Sequence, residues 1–308
     1  MGSLYALIAL GYTLVYGILQ FINFAHSDIF ALGAWLSFAL ATLFGLSATA
    51  IGQPSPPWYA AIGVLLASML LCSLVGLIIE RFAYKPLRHA PRLNVLITAI
   101  GVSLLLENTG QLQILHHGKA LVVPFGPFPK AMPALVPDRV LATIAGGVPV
   151  RLVDAAVLGT ALVLMLFIQW LIFRTKLGMA MRAVSFNVNT AALMGINVNA
   201  IISITFMIGS ALAGAAGFLY AVKYVQLNQT ADTVWVLLGL KAFVAAVIGG
   251  IGNIRGAMIG GVVIGLIEFF GVAYLSSNFR DVYVFLVLIL VLLLRPEGIL
   301  GRSTVEKV

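Results

Sequence analysis

Three glycines interrupt one long apolar run and could expose the backbone to a solute. They are Gly249, Gly250 and Gly252, followed by Asn253, in the middle of the run 241–268. Glycine tolerates positive φ and lets another group approach its backbone closely. Hydrocarbon offers no hydrogen bonds to unwound backbone, so such a turn must face protein or a water-filled path. The pattern predicts a broken helix of the kind by which transporters bind solutes.

A second interruption, residues 21–28, separates the first two apolar runs and contains Asn23 and His26. Breaks at corresponding places in the two halves of a chain indicate a central translocation site. We therefore predict that Asn23 and His26 line a solute path, close to the glycine break. An ordinary cytoplasmic turn has a similar sequence, and it is the alternative interpretation.

Charged residues inside apolar runs are costly and need partners. Lys241 and Glu268 flank the glycine break and would lie at similar depth if the two runs form a hairpin. We predict an ion pair between them, with a structural role favoured over a role in gating or in contact with the solute. Glu107 lies in another apolar run and has no obvious partner in the sequence.

Motifs for bond chemistry are missing from the sequence. The single Gly-Lys pair, Gly118-Lys119, is not followed by serine or threonine, so the chain has no P-loop for ATP. His116 and His117 are adjacent and would point about 100° apart on a helix, a poor arrangement for a metal. Cys72 is the only cysteine, which excludes a disulfide within the chain. We predict no enzymatic activity, no cofactor and no metal.

The composition is that of a membrane protein. The chain is 61% hydrophobic and 9% charged, whereas soluble domains carry about 25% charged residues. A membrane helix needs about 20 apolar residues. The sequence predicts an all-α polytopic protein with about eight to nine transmembrane helices, in a single domain over residues 1–308. The candidate spans are 3–22, 29–48, 58–79, 95–115, 152–173, 200–222, 234–248, 257–274 and 282–294.

Basic residues predict the orientation. They cluster after the third, fifth and last spans, and short basic connections lie in the cytoplasm. Nine crossings then place the N-terminus and the long loop 116–151 outside. The net charge of +8 is spread over such connections and not over one soluble face. This distribution argues against nucleic-acid binding and for contact with membrane lipid.

The cytoplasmic connection 174–197 is amphipathic and too polar to span the membrane. Its apolar positions are Leu177, Met181, Val184, Val188, Ala191 and Met194. We predict a short helix across the cytoplasmic face. It could pack on the membrane domain or insert into a groove on a partner.

Five motifs in this chain resemble those of one transporter family. They are GYTLVYG at 11–17, INFAH at 22–26, LMGIN at 193–197, AVIGGIG at 246–252 and RPEGILG at 295–301. Together they are similar to the permease subunit of branched-chain amino acid importers of the ATP-binding-cassette class, the LivH type. The resemblance covers essentially the whole length.

The resemblance implies a set of partners in a bacterial inner membrane. These are a second permease subunit, related or identical, two cytoplasmic ATPase subunits, and a periplasmic solute-binding protein. The connection 174–197 matches the family's coupling segment, which docks on the ATPase. The residues assigned to ATPase coupling on this basis are Arg182, Asn187, Ala191, Leu193 and Gly195.

Departures from the family pattern and related solutes leave alternatives open. The family usually has glycine where this chain has Ser27, and acidic residues where it has Phe186-Asn187. The same family includes permeases for urea and short amides. A secondary transporter driven by H⁺ or Na⁺ is the rival from another class. It would need an intramembrane carboxylate, for which Glu107 and Glu268 are the candidates.

Overall fold

The computed structural model describes residues 1–46, 56–88, 90–110, 115–116, 119–120, 130–137, 139–144, 148–224, 226–227 and 233–301. This part of the chain is predominantly helical, as predicted. Its α-helices are α1 Gly2–Leu19, α2 His26–Leu43, α3 Trp58–Ile79, α4 Arg92–Thr109, α5 Leu152–Arg174, α6 Lys176–Phe186, α7 Val188–Leu193, α8 Val198–Lys223, α9 Thr233–Gly249, α10 Ile254–Tyr274 and α11 Arg280–Leu294.

Seven helices among the described residues are long and apolar enough to cross a membrane, and α4 and α9 contain shorter apolar stretches. These helices follow the predicted spans in order. Helix α2 begins at His26, not at residue 29, because polar residues 26–28 are enclosed by neighbouring helices. Helix α3 continues through a π-helical turn, Glu80–Tyr84, and a 3₁₀ turn, Lys85–Leu87.

The centre of the bundle is formed by α1 together with α2, α8 and α9. Every residue of α1 from Leu4 to Val15 is buried, as expected for a helix enclosed on all sides by other helices. The outer helices α3, α5 and α11 instead expose large apolar side chains, for example Leu66, Leu162 and Leu293. These side chains suit contact with lipid.

Small residues bring the central helices together. A Cβ atom at Gly214 of α8 would lie 2.8 Å from the Cβ of Cys72 in α3. A Cβ at Gly261 of α10 would collide with the backbone of Ala6 in α1. Such positions allow backbones to approach closely, which is how membrane helices gain packing energy.

Short antiparallel strands lie outside the helices. They are β1 Leu115–His116 with β2 Lys119–Ala120, β3 Lys130–Ala131 with β6 Gln226–Leu227, and β4 Val140–Ile144 with β5 Val148–Arg151. The predicted external loop 116–151 lies partly outside the described residues. Its described part includes a hairpin, β4–β5, that leads directly into α5.

Helix ends identify the two ends of the bundle. Phe173 near the end of α5 contacts Arg255 at the start of α10. Gly252, just before α10, lies opposite Gly17 near the end of α1. These helix ends therefore lie together, beside α6 and α7, and we call this end of the bundle the coupling end. The basic residues predict that it faces the cytoplasm.

Candidate functional site

The glycine break is a tight turn between α9 and α10 at the coupling end. Gly250 and Gly252 have φ values of 101° and 90°, in the left-handed region that favours glycine. The backbone amide of Asn253 donates to the carbonyl of Gly250 at 3.0 Å and closes the turn. The predicted interruption is therefore present, with a helix on each side of it.

The C-terminal segment, residues 295–301, packs directly on this turn. The amide of Ile299 donates to the carbonyl of Ile248 at 2.7 Å, and that of Leu300 to Gly249 at 3.1 Å. Carbonyls at the end of a helix lack partners within the helix. A Cβ atom at Gly250 would lie 2.6 Å from the amide nitrogen of Gly301. The carbonyls of Ile248 and Gly249 at the end of α9 are thus satisfied by the C-terminal segment.

The side chain of Asn253 forms hydrogen bonds with three backbone groups. Its Oδ1 accepts from the amides of Arg255 and Gly256, at 3.1 and 3.2 Å, and so caps α10. Its Nδ2 donates to the carbonyl of Leu300 at 2.7 Å. These contacts give Asn253 and the glycines Gly249, Gly250 and Gly252 a packing role. Their contact with a solute stays a prediction.

The first break re-enters the bundle. Helix α1 ends at Leu19, Gln20 adopts a left-handed φ of 54°, and the chain returns until His26 lies against Gly11 in the middle of α1. Asn23 and His26 are only 2% and 1% exposed. The segment is therefore enclosed by helices and is not a surface turn.

Polar contacts hold the first break in place. The hydroxyl of Tyr84 donates to Oδ1 of Asn23 at 2.6 Å, and Ser103 of α4 donates to Asp28. The ring of Tyr12 meets that of His26 edge to face at 4.8 Å. Nδ2 of Asn23 and Nε2 of His26 are buried without a hydrogen-bond partner among the described residues. Such atoms are costly to leave unpaired, so they are the groups here best suited to bind a polar ligand.

Both breaks lie along α1, but at different levels. His26 is opposite Gly11, whereas Gly252 is opposite Gly17. Six residues of helix separate these levels by about 9 Å. The structure therefore brings His26 nearer the middle of the bundle and leaves the glycine turn at its end.

Lys241 and Glu268 belong to a larger ionic cluster at the end opposite the coupling end. Lys241 Nζ lies 2.8 Å from Glu268 Oε1 and 2.5 Å from Asp281 Oδ1. Glu268 also pairs with Arg280 and accepts from the Tyr5 hydroxyl at 2.8 Å. The cluster connects α1, α9, α10 and α11. Because removing one partner from a buried ion pair costs about 3–5 kcal/mol, this arrangement favours a structural role.

The predicted coupling segment consists of α6 and α7. Oγ1 of Thr175 accepts from the Gly178 amide at 3.1 Å and caps α6. Oδ1 of Asn187 accepts from the Thr190 amide at 3.0 Å and caps α7. Each cap satisfies an amide that has no partner within its helix. Gly195, with a φ of 80°, follows α7 in a left-handed conformation.

The two faces of the coupling segment differ sharply. Met181, Val184 and Ala191 are buried against the bundle, whereas Leu193 and Phe186 are 88% and 93% exposed. Ala191 therefore lies on the face of the segment that packs against the bundle, and it presents no surface to a partner. Apolar side chains this exposed at a helix end suit insertion into a groove on another protein.

Comparison with known proteins identifies the family. A family model described as "Branched-chain amino acid transport system / permease component" matches residues 1–294. The chain belongs to this permease family. It is a multi-pass protein of the bacterial inner membrane, and the resemblance shown by its five motifs is confirmed.

Relatives of the permease align over nearly their whole length. The high-affinity branched-chain amino acid transport system permease protein BraD of Pseudomonas aeruginosa is 40% identical, covering 100% of this chain and 95% of the relative. LivH of Escherichia coli K12 is 38% identical, covering 100% and 94%. A probable LivH of Methanocaldococcus jannaschii is 28% identical, covering 97% and 89%. No solved structure matches.

The sequence alone did not reveal several groups in the permease. Glu80 is fully buried, pairs with Arg88, and accepts from the Ser203 hydroxyl at 2.7 Å. Its position directly after an apolar run was the available signal. The docking of residues 295–301 was not predicted either, because nothing local in RPEGILG indicates which turn it will contact.

Proposed function

We propose that this permease forms one half of the membrane pore of an ATP-driven importer for leucine, isoleucine, valine or similar hydrophobic amino acids. The family match and the two bacterial relatives, both known as high-affinity branched-chain amino acid permeases, support the solute class. The observation that carries the proposal is the two-faced coupling segment: an inner face buried on the bundle and an outer apolar face left for a partner.

The family assignment supports the set of partners. The sequence contains no P-loop, which agrees with ATP hydrolysis by two separate cytoplasmic ATPase subunits. A second permease, related or identical, completes the pore, and a periplasmic binding protein delivers the solute. The permease itself makes and breaks no bonds. ATP binding draws the ATPases together, and the coupling segment passes this movement to the bundle.

The solute path in this proposal includes both breaks, in one transmembrane domain that extends over residues 1–308. Nδ2 of Asn23 and Nε2 of His26, which have no hydrogen-bond partner among the described residues, offer polar contacts near the middle. The glycine turn contributes backbone near the cytoplasm. A pore of this kind needs low affinity, because a tight site would slow release of the solute.

The alternatives are less well supported. In the described residues the Glu268 carboxylate is shared by three partners, which makes it a poor proton carrier. Glu107 would then be the carboxylate of a secondary transporter. The family assignment favours an ATP-driven importer of amino acids over this mechanism and over transport of urea or short amides.

Reconstitution tests the proposal. Proteoliposomes that contain the permease, its ATPases and a solute-binding protein should take up leucine only when ATP is present on the side of the membrane that carries the ATPases. Isoleucine or valine should compete with leucine for uptake. Competition by urea or acetamide instead would reassign the solute. Uptake driven by a proton gradient without ATPases would reject the proposed mechanism.

The docking face can be tested separately. Replacement of the exposed side chain in Leu193→Glu places a charge in the proposed ATPase groove. We expect at least about tenfold weaker co-purification with the ATPases, as for loss of an interface hot spot. Val140→Glu, at an exposed position of β4 outside the coupling segment, is the control and should leave assembly unchanged. Equal assembly of both variants would remove Leu193 from the interface.

A further inference from the structure

The coupling segment is fixed to the end of α5. A Cβ atom at Gly178 would collide with the carbonyls of Leu171 and Ile172, so α6 lies directly against that end. Oγ1 of Thr175 donates to the Leu171 carbonyl at 2.5 Å while it accepts from the Gly178 amide at 3.1 Å. The end of α5 and the start of α6 are therefore expected to move together.

A single aromatic ring connects this junction to α10. The guanidinium carbon of Arg182, in α6, lies 5.6 Å from the centroid of the Phe173 ring. The guanidinium carbon of Arg255, in α10, lies 5.0 Å from the same centroid. Cations within about 6 Å of a ring centroid are attracted to the electron-rich face of the ring. Phe173 of α5 thus joins the coupling segment to the helix that follows the glycine turn.

The position of Arg255 makes this contact informative. It lies in the first turn of α10, where the helix dipole disfavours a cation. Among the described residues no carboxylate forms an ion pair with it. Among the described residues, the Phe173 ring contacts its guanidinium. Two residues earlier, Asn253 binds both α10 and the C-terminal segment.

Helix α10 leaves little room for independent movement. Gly256 packs on the backbone of Gly249, and Gly260 on the carbonyl of Ala245 in α9. Gly261 packs on Ala6 in α1. Contacts between backbones at such positions cannot be relaxed by turning a side chain. A displacement at the start of α10 is therefore passed to α9, α1 and the glycine turn.

We propose that Phe173 transmits movement of the coupling segment to the glycine turn, with Arg255 as the receiving group. This inference rests on the proposed function as an ATP-driven importer. Phe173 and Arg255 are positioning residues: they touch no solute, and they determine how much solute is moved for each ATP hydrolysed.

The test measures solute imported per ATP hydrolysed in proteoliposomes with the complete importer. Phe173→Leu keeps an apolar side chain but removes the ring, and Arg255→Gln keeps length but removes the charge. We expect both to lower the ratio by about fivefold or more, the usual lower bound for energetic coupling between sites. ATPase binding and the KM for solute should be unchanged. The double variant should be no worse than either single variant.

Two further variants separate coupling from packing. Phe173→Trp should keep the ratio, because indole binds cations better than a phenyl ring does. Phe167→Leu is the matched control on the same helix: its ring contacts Trp170 at 6.0 Å and no arginine. It should leave the ratio unchanged.

Several results would overturn the inference. A normal ratio in Phe173→Leu would do so, as would equal losses in the Leu and Trp variants, which would indicate that the fit of the side chain and not its attraction for cations sets the ratio. If Phe173→Leu does not assemble, Arg255→Gln decides: a normal ratio overturns the inference, and a lowered ratio that Arg255→Lys restores supports it. Failure of the proposed function looks different, because the unaltered complex would then show no ATP-dependent uptake, and the inference would fail with it.

Discussion

The two helix breaks of this permease are held by opposite means. The first is held by side chains: Tyr84 donates to Asn23, and Tyr12 packs on His26. The second is held by backbone: the C-terminal segment donates its amides to the end of α9, and glycines leave the space for it. The first break therefore depends chiefly on polar side chains, and the second chiefly on the lack of Cβ atoms, with Asn253 as the side chain that also contributes there.

This difference indicates separate tasks. The first break has buried polar atoms, Asn23 Nδ2 and His26 Nε2, that no described residue satisfies, and contact of these atoms with a solute is part of our proposal. The glycine turn uses its hydrogen bonds on the chain's own C-terminal segment and lies beside Arg255. We infer that it serves mainly to connect α9, α10 and the coupling end.

The largest effect is expected at Gly250. Gly250 and Gly252 both have a positive φ. An alanine at either position would therefore lower the stability by about 1–2 kcal/mol through backbone strain. They differ in space: a Cβ at Gly250 would lie 2.6 Å from the Gly301 nitrogen, whereas at Gly252 the nearest atom is Tyr16 Cδ1 at 4.0 Å. Gly250→Ala should therefore displace the C-terminal segment and abolish uptake, with a large fall in the thermal midpoint in detergent.

Gly252→Ala is the control and should retain most uptake with a modest fall in the midpoint. Gly250→Val should be at least as severe as Gly250→Ala, because a β-branched side chain fits the turn worse. If the two alanine variants lose stability and uptake equally, then backbone strain alone explains the glycines, and the C-terminal segment does not hold the turn.

A smaller effect is expected from Gly11 at the first break. A Cβ in Gly11→Ala would collide with the His26 imidazole and should impair uptake. The control on the same helix is Gly17→Ala, whose Cβ would be in ordinary contact with Gly252, 3.9 Å from its carbonyl oxygen and 4.0 Å from its Cα. It should be neutral or more stable, since alanine favours a helix over glycine by up to about 1 kcal/mol.

A second substitution separates packing from contact with solute. His26→Ala removes the collision with the imidazole and leaves the Gly209 carbonyl 3.1 Å from the new methyl group, so the pair Gly11→Ala with His26→Ala should recover part of the lost stability. If uptake recovers as well, His26 has no polar role in transport. Recovery of stability without uptake would support the imidazole as part of the path.

Local patterns were sufficient to predict the helices of the permease. Apolar length gives the spans, and glycines in an apolar run give the break at Gly249–252, because both signals lie within one short stretch of chain. The inner and outer faces of the coupling segment were only partly predictable. The same apolar spacing includes Ala191, which packs inward, and Met194, which is exposed.

The contacts between distant segments were not predictable from the sequence. Gly250 leaves space for Gly301, and Gly11 leaves space for His26. A glycine alone does not indicate which distant segment will pack against it. Phe173 and Arg255 lie 82 positions apart in the sequence, and no period or motif pairs them. Side chains that act across helices become visible only once packing is known.

The smallest effect should come from Asn253→Asp, and it separates the two roles of this side chain. Aspartate keeps an oxygen to cap α10 but loses the donor to Leu300, a neutral hydrogen bond of about 0.5–1.5 kcal/mol. A negative charge at a helix N-terminus stabilises the folded protein by about 0.3–1 kcal/mol. The thermal midpoint should therefore change little, whereas Asn253→Ala, which also loses the cap, should be less stable by about 1 kcal/mol.

The same change in the other break, Asn23→Asp, buries a charge at a site only 2% exposed and should be far more damaging. Similar losses at both asparagines would show that side chains hold the second break as much as the first, and the contrast between the two breaks would fail.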